Sequence, residues 1–238
     1  MKVLTDQIRL QKEVYVIGLG TIGGLFVLGT ILHEVIMAMD GEVSDVFTMG
    51  STMAVFGIWV ALLFGVGAHM TSMFNYAVSM GRTRRSFFTA YTASAFVTAL
   101  VLEAVLVLLH VAERLRLGLM YPNLRIDDPA ANVLHWNILL AVALIGTAFG
   151  VFTASLIVRF GKVALWVIWF SWFGLCIVSP QLIEQVLAHA DTAVVKLLLR
   201  AAEWLFKLGG AAVPVLALAV SAVLLGVSYL ILRRQQVN

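Results

Sequence analysis

The chain alternates long apolar runs with short polar breaks, and the runs are of membrane-crossing length. Runs free of Asp, Glu, Lys, Arg and His cover Val14–Leu32, Val46–Ala68, Ser86–Leu102, Trp136–Val158, Val163–Ile183 and Leu208–Leu232, and the third continues past Glu103 to Leu109. A bilayer core about 30 Å thick takes roughly 20 residues at helical rise. Lipid offers no partner to an open strand edge, so the runs predict helices. The expected fold is all-α, a single transmembrane domain over 1–238, with six spans near 14–38, 46–74, 86–109, 136–158, 163–183 and 208–232. The first run is expected to be a span and not a cleaved leader. Others follow it closely, and no small-residue cleavage site lies after it.

Two weaker patterns lie outside the runs. In residues 1–13, Lys2, Asp6, Arg9, Lys12 and Glu13 alternate with Val3, Leu4, Ile8 and Leu10. That pattern suits either an inner amphipathic segment or a loosely ordered tail. Over Thr192–Leu208, apolar Val194, Leu197, Leu198, Ala201, Leu205 and Leu208 recur at helical spacing, opposite Lys196, Arg200, Glu203 and Lys207. The spacing predicts an amphipathic outer helix between spans five and six, either shielding a cavity mouth or resting on lipid.

Composition sharpens the class. Of the 238 residues 61% are hydrophobic and 12% charged, far from the half-apolar, quarter-charged balance of soluble domains. An ordinary soluble enzyme is excluded. Cys176 is the only cysteine, so neither an intrachain disulfide nor a cysteine zinc cluster can form. The net charge of +3 says less than where the charges sit. With both termini cytoplasmic, the inner segments carry ten of the Lys and Arg residues (Lys2, Arg9, Lys12, Arg82, Arg84, Arg85, Arg159, Lys162, Arg233 and Arg234) and the outer segments six. The acidic residues reverse this, two inside and ten outside. That is the distribution the positive-inside rule asks for.

Catalytic and ligand motifs are sparse. No GxxxxGK[ST] occurs, so the chain itself is expected to hold no nucleotide, and no GxSxG elbow occurs. His33-Glu34-Val35-Ile36-Met37 begins like the HExxH zinc motif and ends in Met, and one His cannot supply the paired i, i+4 ligands. No metal site is expected. His69, His110, His135 and His189 fall near span ends, where interfacial hydration accounts for them. Glu103 is the one acidic residue inside a span, and such a residue is a functional candidate by default. Its place toward the outer end of span three also suits snorkelling or a hydrogen bond to a neighbouring helix. Trp166, Trp169 and Phe173 share a face of span five at i, i+3 and i+7. They suit either an aromatic belt against lipid or a wall for an amphiphilic substrate. Trp169, Phe173 and Glu103 are therefore the candidate substrate-path residues. Gly20 and Gly24 match the small-xxx-small pattern of closely packed membrane helices. The pattern leaves open whether that contact forms within the chain or between protomers.

The inner loop between spans two and three carries the most specific signal. Ser79, Gly81, Arg82, Arg84, Arg85, Phe87 and Phe88 stand in a stretch where a span ends, a glycine breaks the helix, three Arg cluster and two Phe open the next span. In its Ser79, Gly81, Arg84, Phe87 and Phe88 the stretch resembles the permease subunits of type-2 ATP-binding-cassette exporters. The layout of six spans, inner termini and an extra outer helix is similar too. The resemblance implies that this loop is the coupling helix that docks on an ATPase subunit. It implies two permease protomers, same or paralogous, and two copies of that ABC ATPase, with ATP and Mg on the partner and none on this chain. It also implies alternating access, the cargo being a peptide, a lipid or a hydrophobic drug. The expected location is the cell membrane, multi-pass, in particular a bacterial cytoplasmic membrane. The partners are other membrane subunits and lipid, with no nucleic acid. The chain would not be an enzyme by itself. Two other readings are an intramembrane enzyme built on His33, Glu34 or Glu103, and a non-transporting scaffold or immunity protein.

Overall fold

The computed structural model describes residues 12–39, 45–79, 81, 83–188, 196, 210 and 212–233. Helix α1 covers Lys12–Met39, strand β1 Asp45–Phe47, and α2 Met49–Ser79. Helix α3 covers Arg84–Met120, β2 Arg125–Asp127, α4 Pro129–Val133, α5 Trp136–Phe160, α6 Lys162–Ala188 and α7 Ala212–Arg233. Five of these, α1, α2, α3, α5 and α7, are long and apolar enough to cross a membrane. The chain is an all-α membrane protein. Helix α6 runs 27 residues, and its side chains are described through Gly174 and at Val178. The tail over 1–11 and the Thr192–Leu208 segment lie outside the described residues, apart from Lys196.

Three features depart from the hydropathy reading. Val46 does not begin a span. It sits fully buried in β1, which pairs in parallel with β2 through Asp45–Arg125, Val46–Ile126 and Phe47–Asp127. Helix α3 does not stop at Leu109 but continues to Met120, because Leu106, His110, Glu113 and Leu117 form one buried stripe at helical spacing. Charge ends an apolar run, but a charge with protein partners does not end a helix. Helix α2 contains a π turn over Ala61–Val66, a wide turn that frees a backbone carbonyl. At the last residue of that turn the Tyr91 hydroxyl donates to Val66 O at 2.8 Å.

Small residues set the helix spacing, at positions the sequence pattern did not single out. A Cβ on Gly29 would lie 2.6 Å from Met49 O, and one on Gly18 2.8 Å from Leu102 Cδ1. On α5, a Cβ on Gly146 would meet Leu62 Cδ1 at 2.8 Å, and one on Gly150 would meet Leu62 O at 2.7 Å. Gly146-xxx-Gly150 is thus the small-xxx-small seam that carries α5 against the π turn. Gly20, Gly23 and Gly24 have nothing within 4 Å, so the Gly20–Gly24 pattern makes no close contact among the described residues.

The contacts align the helix ends. Arg84 Nη1 donates to Arg233 O at 3.0 Å, bringing the start of α3 to the end of α7. Asn137 Nδ2 donates to Gly210 O at 3.1 Å, bringing the starts of α5 and α7 together at the other end. Arg84, Arg85, Arg159, Lys162 and Arg233 therefore gather at one end of the bundle, called the basic end below.

Candidate functional site

At the basic end, α2 finishes at Ser79, whose hydroxyl donates back to Tyr76 O at 2.8 Å. Gly81 then turns the chain at φ 78°, in the left-handed region that favours glycine, with its N–H on Val78 O at 3.1 Å. Thr83 starts α3 as an N-cap, its hydroxyl accepting from Ser86 N at 3.3 Å. Arg85 is exposed, Arg84 is half-buried against the end of α7, and Arg82 lies outside the described residues. Phe87 and Phe88 are not exposed docking groups. Both are buried: Phe87 packs edge-on against Phe74 at 5.7 Å and stacks on Tyr91 at 5.6 Å, and Phe88 meets Tyr229 at 5.6 Å. The pair ties the turn to both α2 and α7. A force on the turn therefore reaches two helices through packed rings.

The second candidate is an apolar cleft of about 510 Å³ between α2, α5 and α6. Phe64, Phe152, Leu156, Leu165, Trp169 and Trp172 are among the residues that line it. Phe64 and Trp169 stack at 5.4 Å where α2 meets α6. Of the three candidate path residues only Trp169 faces the cleft. Phe173 is exposed and absent from the lining. Glu103 is buried on α3, which contributes no lining residue. It stands near the middle of that long helix, with Oε1 lacking a hydrogen-bond partner. An unsatisfied carboxyl of that kind is costly.

The end opposite the Arg cluster holds a polar network. Glu113 is almost wholly buried and accepts from Gly50 N at 2.8 Å, Ser51 N at 2.7 Å and the Ser51 hydroxyl. It caps the N-terminus of α2 from α3, placing negative charge at the positive end of the helix dipole. Asp128 accepts from Thr48 Oγ1 at 3.0 Å and Ala131 N at 3.1 Å, and lies 3.4 Å from His110 Nε2 and 3.3 Å from Arg114 Nε. Glu34 accepts from Arg116 at 2.8 Å and from the Tyr121 hydroxyl at 3.2 Å. Desolvation, and then the adjacent Glu34 carboxylate, hold the Tyr121 hydroxyl above the ordinary phenol range, with Arg116 opposing. His33 is buried, its ring edge-on to Phe47 at 6.0 Å and to Tyr121 at 6.2 Å.

Hydration does not account for all the histidines. His33, His69 and His110 are buried, and His69 Nδ1 lies 3.3 Å from the Tyr91 hydroxyl. His135 is exposed ahead of α5, and His189 lies outside the described residues. Among the described residues no three His, Cys, Asp or Glu side chains gather as metal ligands. Helical spacing of His110, Glu113 and Leu117 with Leu106 was the available signal for the network. It was masked by the neighbouring arginines. Compared with family models, with curated proteins and with solved structures, the chain matches none.

Proposed function

We propose that the chain is the membrane-spanning subunit of an ATP-driven exporter. In this reading α6 completes six spans, and both termini lie with the basic end in the cytoplasm. Two such subunits, identical or paralogous, work with two copies of a separate ATPase. The cargo is a peptide, a lipid or a hydrophobic drug, moved by alternating access in the cell membrane.

The observation that carries the reading is the construction of the Gly81 turn. Arg85 is exposed while Phe87 and Phe88, a few residues on, are locked between α2 and α7. A guanidinium so placed is free to pair bidentately with a partner carboxylate. The rings behind it carry displacement into the bundle, since packed cores shift between discrete arrangements and do not flex continuously.

The test is co-purification of the tagged chain with its gene neighbours in mild detergent, followed by mass spectrometry. A stoichiometric P-loop ATPase is the expected companion. Arg84→Glu with Arg85→Glu should weaken its docking roughly tenfold or more, through like-charge opposition, with membrane insertion retained. Because Arg84 also holds the end of α7, Arg85→Glu alone is the cleaner variant. Undiminished docking of that single variant would overturn the reading.

A further inference from the structure

The cleft between α2, α5 and α6 is built for hydrocarbon. Its wall is predominantly apolar, with five aromatic residues among the sixteen that line it, and of the three lining hydroxyls, on Thr71, Thr153 and Ser171, the two threonines do not serve it. Thr71 Oγ1 donates to Ala68 O at 2.7 Å and Thr153 Oγ1 to Gly150 O at 2.9 Å, each within its own helix. A hydrophilic ligand would lose its hydration there and gain little in return. A flexible alkyl chain loses nothing of that kind, and about 510 Å³ is ample for one.

The lining stripes end in positive charge. On α5, Phe149, Phe152 and Leu156 line the cleft, and Arg159 continues their face at i, i+3, i+7 and i+10. On α6, Lys162 precedes Leu165 and Trp169 at i, i+3 and i+7. Gly161 makes the connection in one residue at φ 66°, its N–H bonded to Ile157 O at 2.7 Å. Both cations are thus set at the same corner, where the apolar wall stops. Both side chains are exposed, and neither forms an ion pair with a described residue. Arg159 lies over the Phe160 ring at 5.4 Å, which aligns the guanidinium without neutralising it.

We infer that this cleft is a binding site for an anionic phospholipid, one acyl chain lying along Phe152, Leu156 and Trp169 and the phosphate held by Arg159 and Lys162. Basic corners between membrane helices recognise anionic headgroups, whereas a bare apolar groove would take any lipid. The charge at the mouth is what commits the site to one class. The inference needs only that the helices span a bilayer, and stands apart from the exporter reading.

The test uses the purified full chain in neutral detergent, without any ATPase. Phosphatidylglycerol and phosphatidylcholine carrying the same brominated acyl chains are added at matched mole fractions, and tryptophan fluorescence is read. Trp169→Phe and Trp172→Phe identify the cleft signal. Phosphatidylglycerol should quench that signal at a several-fold lower mole fraction than phosphatidylcholine. Arg159→Gln with Lys162→Gln should remove the preference but leave quenching by both lipids. Ala68→Phe, at an exposed lining position on α2, should fill the cleft and abolish quenching by both. Equal quenching by the two lipids in the unaltered chain would overturn the inference, leaving ordinary boundary lipid. So would undiminished quenching in Ala68→Phe. If the double variant fails to fold, those two results still decide the matter.

Discussion

The two ends of the bundle are held by different physics. At the end opposite the Arg cluster, helices are tied by carboxylates, of which Glu113 is almost wholly buried. Glu113 caps α2 from α3, Asp128 joins α4 to the start of α2 and to α3, and Glu34 joins α1 to Arg116. The paired strands β1 and β2 lie across the same region. At the basic end the ties are rings: Phe87 on Phe74 and Tyr91, Phe88 on Tyr229. Hydrogen bonds to carboxylates are directional and leave costly unpaired groups when broken. Ring packing leaves no unpaired polar group behind when it is disturbed. The contrast makes the carboxylate end the more costly of the two to rearrange.

The comparison is broken most severely at Glu113. Glu113→Ala leaves the Gly50 and Ser51 N–H groups buried without acceptors. At about 1–3 kcal/mol for each unsatisfied donor, the loss is roughly 2–6 kcal/mol. Thermal unfolding in detergent should show a large fall in Tm, and an unchanged Tm would show that the carboxylate end is not the more costly to rearrange. Glycines give a smaller and sharper contrast. Gly29→Ala must displace Met49 O from 2.6 Å, which costs about 1–3 kcal/mol as overpacking does. Gly24→Ala meets nothing within 4 Å and should leave the melting of the isolated chain unchanged. The smallest loss among the destabilising variants is expected nearer the basic end. Tyr91→Phe keeps the ring stack and removes the bond to Val66 O, a loss of about 1 kcal/mol. The variant also loses the 3.3 Å contact of the hydroxyl with His69 Nδ1, and amide exchange at the π turn should quicken more than at α2's capped start. Uniform exchange along α2 would show that the hydroxyl does not latch the turn.

Much of the architecture was readable from hydropathy, and the failures share one cause. The spans of α1, α5 and α7 were found within a few residues because each apolar run stops close to the helix ends, with exposed Lys12, Glu13, Arg159 and Arg233 among the residues that bound them. Helix α3 was cut short because Glu113, Arg114 and Arg116 look like the end of a span. A sequence window cannot tell a charge in water from one satisfied by a neighbouring helix's N-terminus. The same blindness assigned buried His69 and His110 to hydrated span ends. The glycine seam was misplaced for a related reason. Gly20-xxx-Gly24 and Gly146-xxx-Gly150 are equivalent patterns along the chain, and among the described residues only the second has another helix against it. At the candidate turn, Ser79, Gly81, Arg84 and Arg85 were legible as a break followed by charge. That Phe87 and Phe88 are buried anchors was not.

What the sequence determined by itself is the class: an apolar excess that no soluble fold could cover, divided into helices by the length of a bilayer. These are properties of composition and one-dimensional spacing, and transfer free energy acts on them segment by segment. What only the tertiary structure decided is where polar groups meet. Glu113 reaching Gly50 and Ser51, Tyr91 bonding Val66 O at the end of the π turn, and the cleft left between α2, α5 and α6 all join residues far apart in the chain. In a low-dielectric interior a single such contact outweighs local propensity, and it exists only once the helices have packed.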